Sequence, residues 1–295
     1  MRIAIVGATG QLGSELLSLW GDRAVGLSRD QLDLTRPEGL EEVLESSRAE
    51  LVVNAAAYNH VDRAEAESLA ALEVNSQGPR QLARACARRG VKLVHVSSDF
   101  VFGTDTSRQV PYLETDPTGP LGAYGVSKLG GELFVRSGCP GHLVVRTCGL
   151  YGHAARQRDG GGNFVETMLR LADSGRPIRV VDDQRCTPTS TTVLAAAIDR
   201  LVQADCVGLY HATCTGSATW YEFARAIFGL SGREVDVEPI TAAEFGAAAQ
   251  RPGYSVLDCS RLTSDTGYQP PDWNTALAAY LLTRDECPNT DQPGD

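Results

Sequence analysis

The stretch RIAIVGATGQLGSELL, residues 2–17, decides the fold. Five apolar or strand-forming residues run straight into Gly7, Gly10 and Gly13, and an amphipathic run follows at once. Glycines at that spacing make a tight turn, let backbone approach a diphosphate and let the helix pack close to the strand. The helix start then presents unpaired N–H groups and the positive end of its dipole to an anion. Outward from this unit, short apolar runs alternate with longer amphipathic ones. Strands are expected at 2–6, 24–27, 51–54, 92–97, 142–147, 178–181 and 208–212. The first helix carries Leu12, Leu16 and Leu19 on one face, a second opens with Pro37, and a long one runs from Ser68 to Arg89, stopped by Gly90. That alternation predicts an α/β fold, a doubly wound Rossmann-type parallel sheet with a smaller carboxy-terminal substrate lobe. Residues 1–150 with 178–212 form the expected dinucleotide-binding domain and 151–177 with 213–287 the substrate-binding lobe, leaving 288–295 as a disordered tail.

Composition narrows the partners. With 295 residues, 42% apolar content and a net charge of −10, the chain has no positive field to hold nucleic acid or an anionic membrane. The eight cysteines are scattered without a C-x-x-C pair, and the five histidines are not spaced as metal ligands, so reduced thiols in a cytoplasmic protein without a metal are expected. His95 and His142 read as core residues in apolar strands, and contact with substrate is the lesser reading of His153, beside Tyr151-Gly152. No leader or apolar run of bilayer-spanning length is apparent.

The chemistry lies in YGVSKLGGE, residues 124–132. Only Lys92 and Lys128 break an otherwise all-arginine choice of cation, and Lys128 falls four residues after Tyr124, on the same helical face. Ser97 and Ser98 end the strand KLVHVS, at the edge where open α/β sheets bind ligands. A Ser, a Tyr and a Lys beside a nicotinamide make a proton-transfer site: the phenol protonates the alkoxide and the hydroxyl bonds the same oxygen. An ammonium at about 4 Å is worth roughly 4 kcal/mol at an effective dielectric near 20, about three pKa units, so Lys128 is expected to lower the Tyr124 phenol. The second strand ends in Ser28-Arg29, which favours a 2′-phosphate and hence NADPH, with NADH as the alternative. The alanines of NAAAY, 54–58, leave room for a cofactor, whereas Asn75 inside a helix reads as a buried hydrogen-bonding group.

These residues resemble the extended short-chain dehydrogenases and, among them, the dTDP-4-dehydrorhamnose reductases. The likeness runs through GATGQLG (7–13), LDLT (32–35), VDRAE (61–65), SSDFVF (97–102), PYLETD (111–116), VVRT (144–147), GNFV (162–165), VVDDQRCTPT (180–189) and RPGYSVLD (251–258). It implies NADPH-dependent reduction of the C4 ketone of a dTDP-4-keto-6-deoxy-L-hexose, with Ser98, Tyr124 and Lys128 catalytic. The implied cofactor site comprises Gly7, Thr9, Gly10, Gln11, Leu12, Gly13, Arg29, Asp33, Leu34, Asn54, Ala55, Ala56, Ala57, Tyr58, Asn75, Ser97, Tyr124 and Lys128. Ser98, Asp99, Phe100, Val101, Phe102, Tyr124, Cys148, Asn163, Phe164 and Arg251 make the implied dTDP-sugar site, and a homodimer is admitted.

Two departures stand out. Cys148-Gly149 occupies the place where many such reductases carry a tryptophan, which leaves the deoxysugar open. Glu15 matches a magnesium position of some relatives, but Ser190-Thr191-Thr192 lacks its acidic partner, so no metal is expected. The competing readings are a reductase for another sugar, of the dihydrostreptose type, and a non-catalytic nucleotide-binding subunit like that of methionine adenosyltransferase. An epimerase or dehydratase fits less well, since Ser28-Arg29 supplies no acidic group at the second strand end.

Overall fold

The computed structural model describes residues 1–36, 38–157 and 162–284. Chain order is β1 (Ile3–Val6), α1 (Gln11–Trp20), β2 (Ala24–Leu27), α2 (Leu40–Ser47), β3 (Leu51–Asn54), α3 (Val61–Ala66), α4 (Ser68–Leu72), a π-helical turn (Glu73–Gln77), α5 (Gly78–Arg89), β4 (Lys92–Ser98), α6 (Ala123–Gly138) and β5 (His142–Thr147). Then come β6 (Leu150–Tyr151), α7 (Phe164–Ala172), β7 (Ile178–Val181), β8 (Arg185–Cys186), β9 (Thr189–Ser190), α8 (Thr191–Gln203), β10 (Gly208–His211), β11 (Ala218–Thr219), α9 (Trp220–Leu230), β12 (Val237–Ile240), α10 (Ala242–Phe245), α11 (Ser260–Thr266) and α12 (Trp273–Arg284).

Six strands form one parallel sheet in the order β10-β5-β4-β3-β1-β2. Because side chains alternate along a strand, the sheet feeds two separate cores. Ile3, Ile5, Val53 and Val145 meet Leu12 and Leu16 of α1 and Leu194 and Ile198 of α8 on one face. Ala4, Val6, Val52 and Val144 meet Leu82 and Cys86 of α5 and Val135 of α6 on the other. The chain leaves β1 for β2 on one side and returns to β3 on the other, so the carboxyl ends of β1 and β3 flank a switch point, where such sheets hold ligands. A Cβ on Gly13 would stand 2.2 Å from the Gly7 carbonyl oxygen, so only glycine lets α1 seat on that turn.

The smaller lobe has its own core, in which Tyr151, Met168, Ile178, Val180, Phe223, Ile227 and Leu277 pack together. Here the structure corrects the expected partition. β7, placed by its sequence with the dinucleotide half, pairs in parallel with β12 in a two-stranded sheet. Arg179, exposed between buried Ile178 and Val180, marks a strand with one wet face, unlike β1 and β3 of the large sheet, which are buried throughout. Leu19 is 46% exposed, and Trp20 takes its expected place on the buried face of α1. The long helix is interrupted: α4, the π-turn and α5 succeed one another before Gly90 ends the run in the left-handed conformation. Pro37 and the tail 288–295 lie outside the described residues.

Gly13→Ala is expected to lose about 1–3 kcal/mol of stability, because the added methyl meets backbone and not a movable side chain. An unchanged urea midpoint would show that α1 can shift to accept it.

Candidate active site

At the switch point, Gly10 caps α1 with extended backbone and no side-chain hydrogen bond, which leaves the first-turn N–H groups to an incoming anion. Gly7 has a positive φ of 79° and presses on the backbone of Ala55 and Ala56 after β3. Ala55 through Tyr58 are half-buried along the open edge, while Asn54 fixes their turn by accepting from the Ala56 N–H at 3.2 Å. This is a cradle that suits a dinucleotide diphosphate. Thr9 is exposed and Gln11 half-buried there, whereas the Leu12 and Leu34 side chains belong to the two cores and could meet a ligand only through backbone. The Arg29 guanidinium is 80% exposed, 3.4 Å from Asp33. Asp33 is held below the usual carboxylate range, chiefly by the Thr35 N–H and hydroxyl and also by Arg29.

Four residues expected to contact cofactor or substrate have their side chains engaged within the fold. Asn75 accepts from the Tyr58 N–H at 2.8 Å and donates to the Tyr58 carbonyl and the Ser127 hydroxyl, leaving it 1% exposed, as the helix-interior reading of that asparagine anticipated. Ser97 turns away and donates to Glu132 at 2.6 Å. Val101 and Phe102 are wholly buried, with Phe102 stacked 4.0 Å from Tyr112, because the 3₁₀ turn after β4 aims them into the core.

Ser98 and Tyr124, two of the three residues expected to be catalytic, lie together at one edge of the sheet, and Lys128 lies beneath them against β4. Ser98, at the end of β4, accepts from the Phe100 N–H and donates to Asp99, each at 3.1 Å. Tyr124 is half-buried in the first turn of α6, its ring edge-on to Phe100 at 5.7 Å and its phenol close enough to the Ser98 hydroxyl to feel it. A Cβ on Gly125 would stand 2.3 Å from the Phe100 carbonyl oxygen, so that glycine lets α6 bring the phenol down to the serine. Burial pushes Tyr124 up to about 12, with Asp99 and Cys148 adding to the rise and the Ser98 hydroxyl opposing it. Lys128 is 3% exposed and donates to the Val96 carbonyl at 2.8 Å. Burial lowers it from 10.5 to about 8, opposed by Glu132. The expectation that Lys128 lowers the phenol is therefore corrected: desolvation dominates both groups, and the ammonium faces β4.

Asp99 is buried, accepts from Ser255 at 2.6 Å, and is raised by that burial. Behind it Cys148 is a buried free thiol, raised by that burial and by the neighbouring Cys186 and Asp99. Asn163 caps α7 through the Glu166 N–H at 3.0 Å and joins the lobes by donating to Gln11, also at 3.0 Å. Arg251 forks onto Asp62 at 3.0 and 2.7 Å. Arg251 and Phe164 line a cavity of about 670 Å³ with Leu121, Met168, Val180 and Trp220. Sequence reasoning missed Leu121 and Trp220, whose sites gave no local signal, and Ser255, although RPGYSVLD contained it. His153 stacks on Tyr280 at 4.5 Å. Glu15 accepts from the Thr192 and Thr191 hydroxyls at 3.1 and 3.3 Å.

A family model described as the RmlD substrate binding domain matches residues 1–285. The chain belongs to the RmlD substrate binding domain family. Its relatives include a dTDP-4-dehydrorhamnose reductase of Sinorhizobium fredii, 36% identical over 92% of this chain and 94% of that protein. A probable dTDP-4,6-dihydroxy-2-methyloxan-3-one 4-ketoreductase of Streptomyces antibioticus is 42% identical over 94% of this chain and 93% of its own length. The structure superposes with a TM-score of 0.89 on the dTDP-4-dehydrorhamnose reductase of Bacillus anthracis solved in complex with NADP, 36% identical over 95% of this chain and 98% of that one.

The lowered Lys128 has a measurable consequence. Between pH 8 and 10.5 the unfolded chain binds the proton more tightly than the folded one, so stability rises with pH across that window. Lys128→Met is expected to be on the order of 2 kcal/mol more stable than wild type at pH 7, an advantage that shrinks by pH 10.5. Urea melts showing parallel pH dependence, with the variant less stable throughout, would contradict this.

Proposed function

We propose that this chain reduces the C4 ketone of a dTDP-4-keto-6-deoxy-L-hexose to a dTDP-6-deoxysugar, using NADPH. The observation that carries the reading is that the first turn of α6 sets Tyr124 on Phe100, whose N–H is held by Ser98, at the carboxyl edge of the sheet that also bears a glycine turn whose helix has no side-chain cap. When bound, the reduced nicotinamide supplies hydride. The Tyr124 phenol, raised to about 12, is fully protonated at neutral pH and serves as the donor to the forming alkoxide. Ser98 bonds the same oxygen once its single hydroxyl hydrogen turns from Asp99 to the forming alkoxide. Asp99 and Ser255 hold that serine in place. Gly10 and the start of α1 would take the diphosphate, and the exposed Arg29 the 2′-phosphate that favours NADPH. The dTDP moiety would take the cavity lined by Phe164 and Arg251, where Arg251, forked onto Asp62, supplies a guanidinium edge for the diphosphate once that pair yields.

A second reading keeps the chemistry and changes the sugar. It is favoured by the resemblance to the Streptomyces antibioticus ketoreductase and by Gly149, whose φ of 51° and close neighbours Pro188 and Trp220 leave no room for a bulky side chain at that edge. A pure binding module is disfavoured, since burying the Lys128 ammonium burdens the fold with no return in stability.

Oxidation of NADPH, followed at its own absorbance with a panel of dTDP-4-ketosugars, separates these readings. Tyr124→Phe is expected to lower kcat about 10²- to 10⁴-fold and leave NADPH affinity unchanged. Full activity in that variant would refute the assignment, and cofactor binding by wild type with no oxidation across the panel would refute the reductase. Arg29→Ala should raise KM for NADPH about fivefold or more while leaving NADH within about twofold.

A further inference from the structure

Helix α6 carries a third polar side chain on the stripe that bears Tyr124 and Lys128. Glu132 follows Lys128 by four residues, one turn further along the same face. It is wholly buried, and its carboxylate is fully engaged. Oε1 accepts from the Ser97 hydroxyl at 2.6 Å and from Arg146 Nε at 2.8 Å, and Oε2 accepts from Arg146 Nη2 at 2.7 Å. Ser97 immediately precedes Ser98 on β4, and Arg146 stands one register step before Thr147, the β5 partner of Ser98. One carboxylate therefore ties the helix bearing the phenol and the ammonium to the strand end bearing the hydroxyl and to the neighbouring strand.

Packing alone does not account for it. A buried ion pair can often be replaced by hydrocarbon of similar volume at no loss of stability. What hydrocarbon cannot supply is negative charge one turn from Lys128. The surroundings of that ammonium are otherwise neutral or cationic. From β4 come His95, itself lowered by burial and by Lys128, and Ser97; from β5 comes Arg146, with His211 of β10 3.4 Å behind it. The π-turn contributes Asn75 and Ser76, both bonded to Ser127, and α3 contributes Glu65, which is exposed and accepts from the Ala123 N–H at the far end of α6. Asp99 faces Tyr124 and Cys148, not Lys128.

We propose that Glu132 is a positioning residue of the reductase reaction, holding the Lys128 charge and the Ser97-Ser98 strand end in register with Tyr124. The proposal rests on the assignment of Ser98, Tyr124 and Lys128 above. A carboxylate that favours the charged amine delays its deprotonation, so removing the carboxylate moves that deprotonation to lower pH.

With two lysines in the chain, ¹³C labelling at lysine Cε gives two signals, and Lys92, paired with Asp205 at the opposite edge of the sheet, is the internal control. In the full-length wild type the Lys128 signal is expected to titrate near pH 8. Glu132→Gln should shift that transition down by about one pH unit, leave Lys92 unmoved, and move the alkaline limb of kcat by the same amount. It should also lower kcat about tenfold with KM for the ketosugar within about threefold. Glu132→Asp, which keeps the charge on a shorter arm, should shift the transition and the limb down by less than half as much. Should Glu132→Gln fail to fold, Glu132→Asp carries the test through a smaller downward shift of the Lys128 transition, coupled to a matching shift of the limb. No turnover by wild type overturns the reductase assignment and the proposal with it. Turnover by wild type with an unmoved Lys128 transition in the variants, or a fall in stability with an unshifted limb, overturns the proposal alone.

Discussion

Beneath the catalytic edge, a glutamate and an arginine are held out of water, and the arrangement of the site depends on them. Glu132 is wholly buried and Arg146 is 2% exposed, and their charges are met by the two hydrogen bonds between them, by Ser97 on the carboxylate, and by His211 and the face of Phe102 on the guanidinium. Such a pair tolerates little displacement: a shift of α6 relative to β4 or β5 would strand a charge in a medium that cannot screen it. The helix that brings Tyr124 and the strand that brings Ser98 are thereby locked at one separation. Gly125, in contact with the Phe100 carbonyl, sets how deep the helix sits.

Burial that fixes the geometry also sets the electrostatics. It drives the phenol up and the ammonium down, so at neutral pH the site holds a neutral phenol and a cation not far from releasing its proton. The Ser98 hydroxyl is the group that relieves the phenol, and Asp99 with Ser255 orients that hydroxyl. Distant parts of the chain meet here. The Asn163–Gln11 bond, the Arg251–Asp62 fork and the Glu114 carboxylate on the His211 N–H bind the smaller lobe and its loops to the sheet. The cavity beside Phe164 therefore opens at a fixed distance from the glycine turn.

Most of the large sheet was legible because its strands are buried on both faces and read as unbroken apolar runs, with glycines marking the one turn where backbone crowds backbone. Ile178–Val181 read the same way over four residues, yet belonged to the other lobe; a strand's partner is a tertiary fact, and the exposed Arg179 was the only local sign. Side chains near the site were legible in type more than in role. Tyr124, Lys128 and Ser98 could be picked out by spacing, whereas Val101 and Phe102 share the motif but point inward, and nothing in SSDFVF says which residues a 3₁₀ turn will bury. Glu132 stood in plain view at the end of YGVSKLGGE, and Arg146 in VVRT; their meaning needed the register of β4 with β5 to bring them together. The orientation of Lys128 was unreadable for the same reason, since desolvation depends on what surrounds a group and not on its spacing from a neighbour.

The most direct test of a phenol-assisted hydride reduction is the fate of the hydrogen itself. With NADPH deuterated at the transferable position of its nicotinamide ring and a dTDP-4-keto-6-deoxyhexose as substrate, the account predicts one deuterium at C4 of the deoxysugar product. It also predicts that the proton on the new hydroxyl derives from solvent. A product without deuterium at C4, or cofactor that stays reduced while the sugar is bound or rearranged, would contradict it.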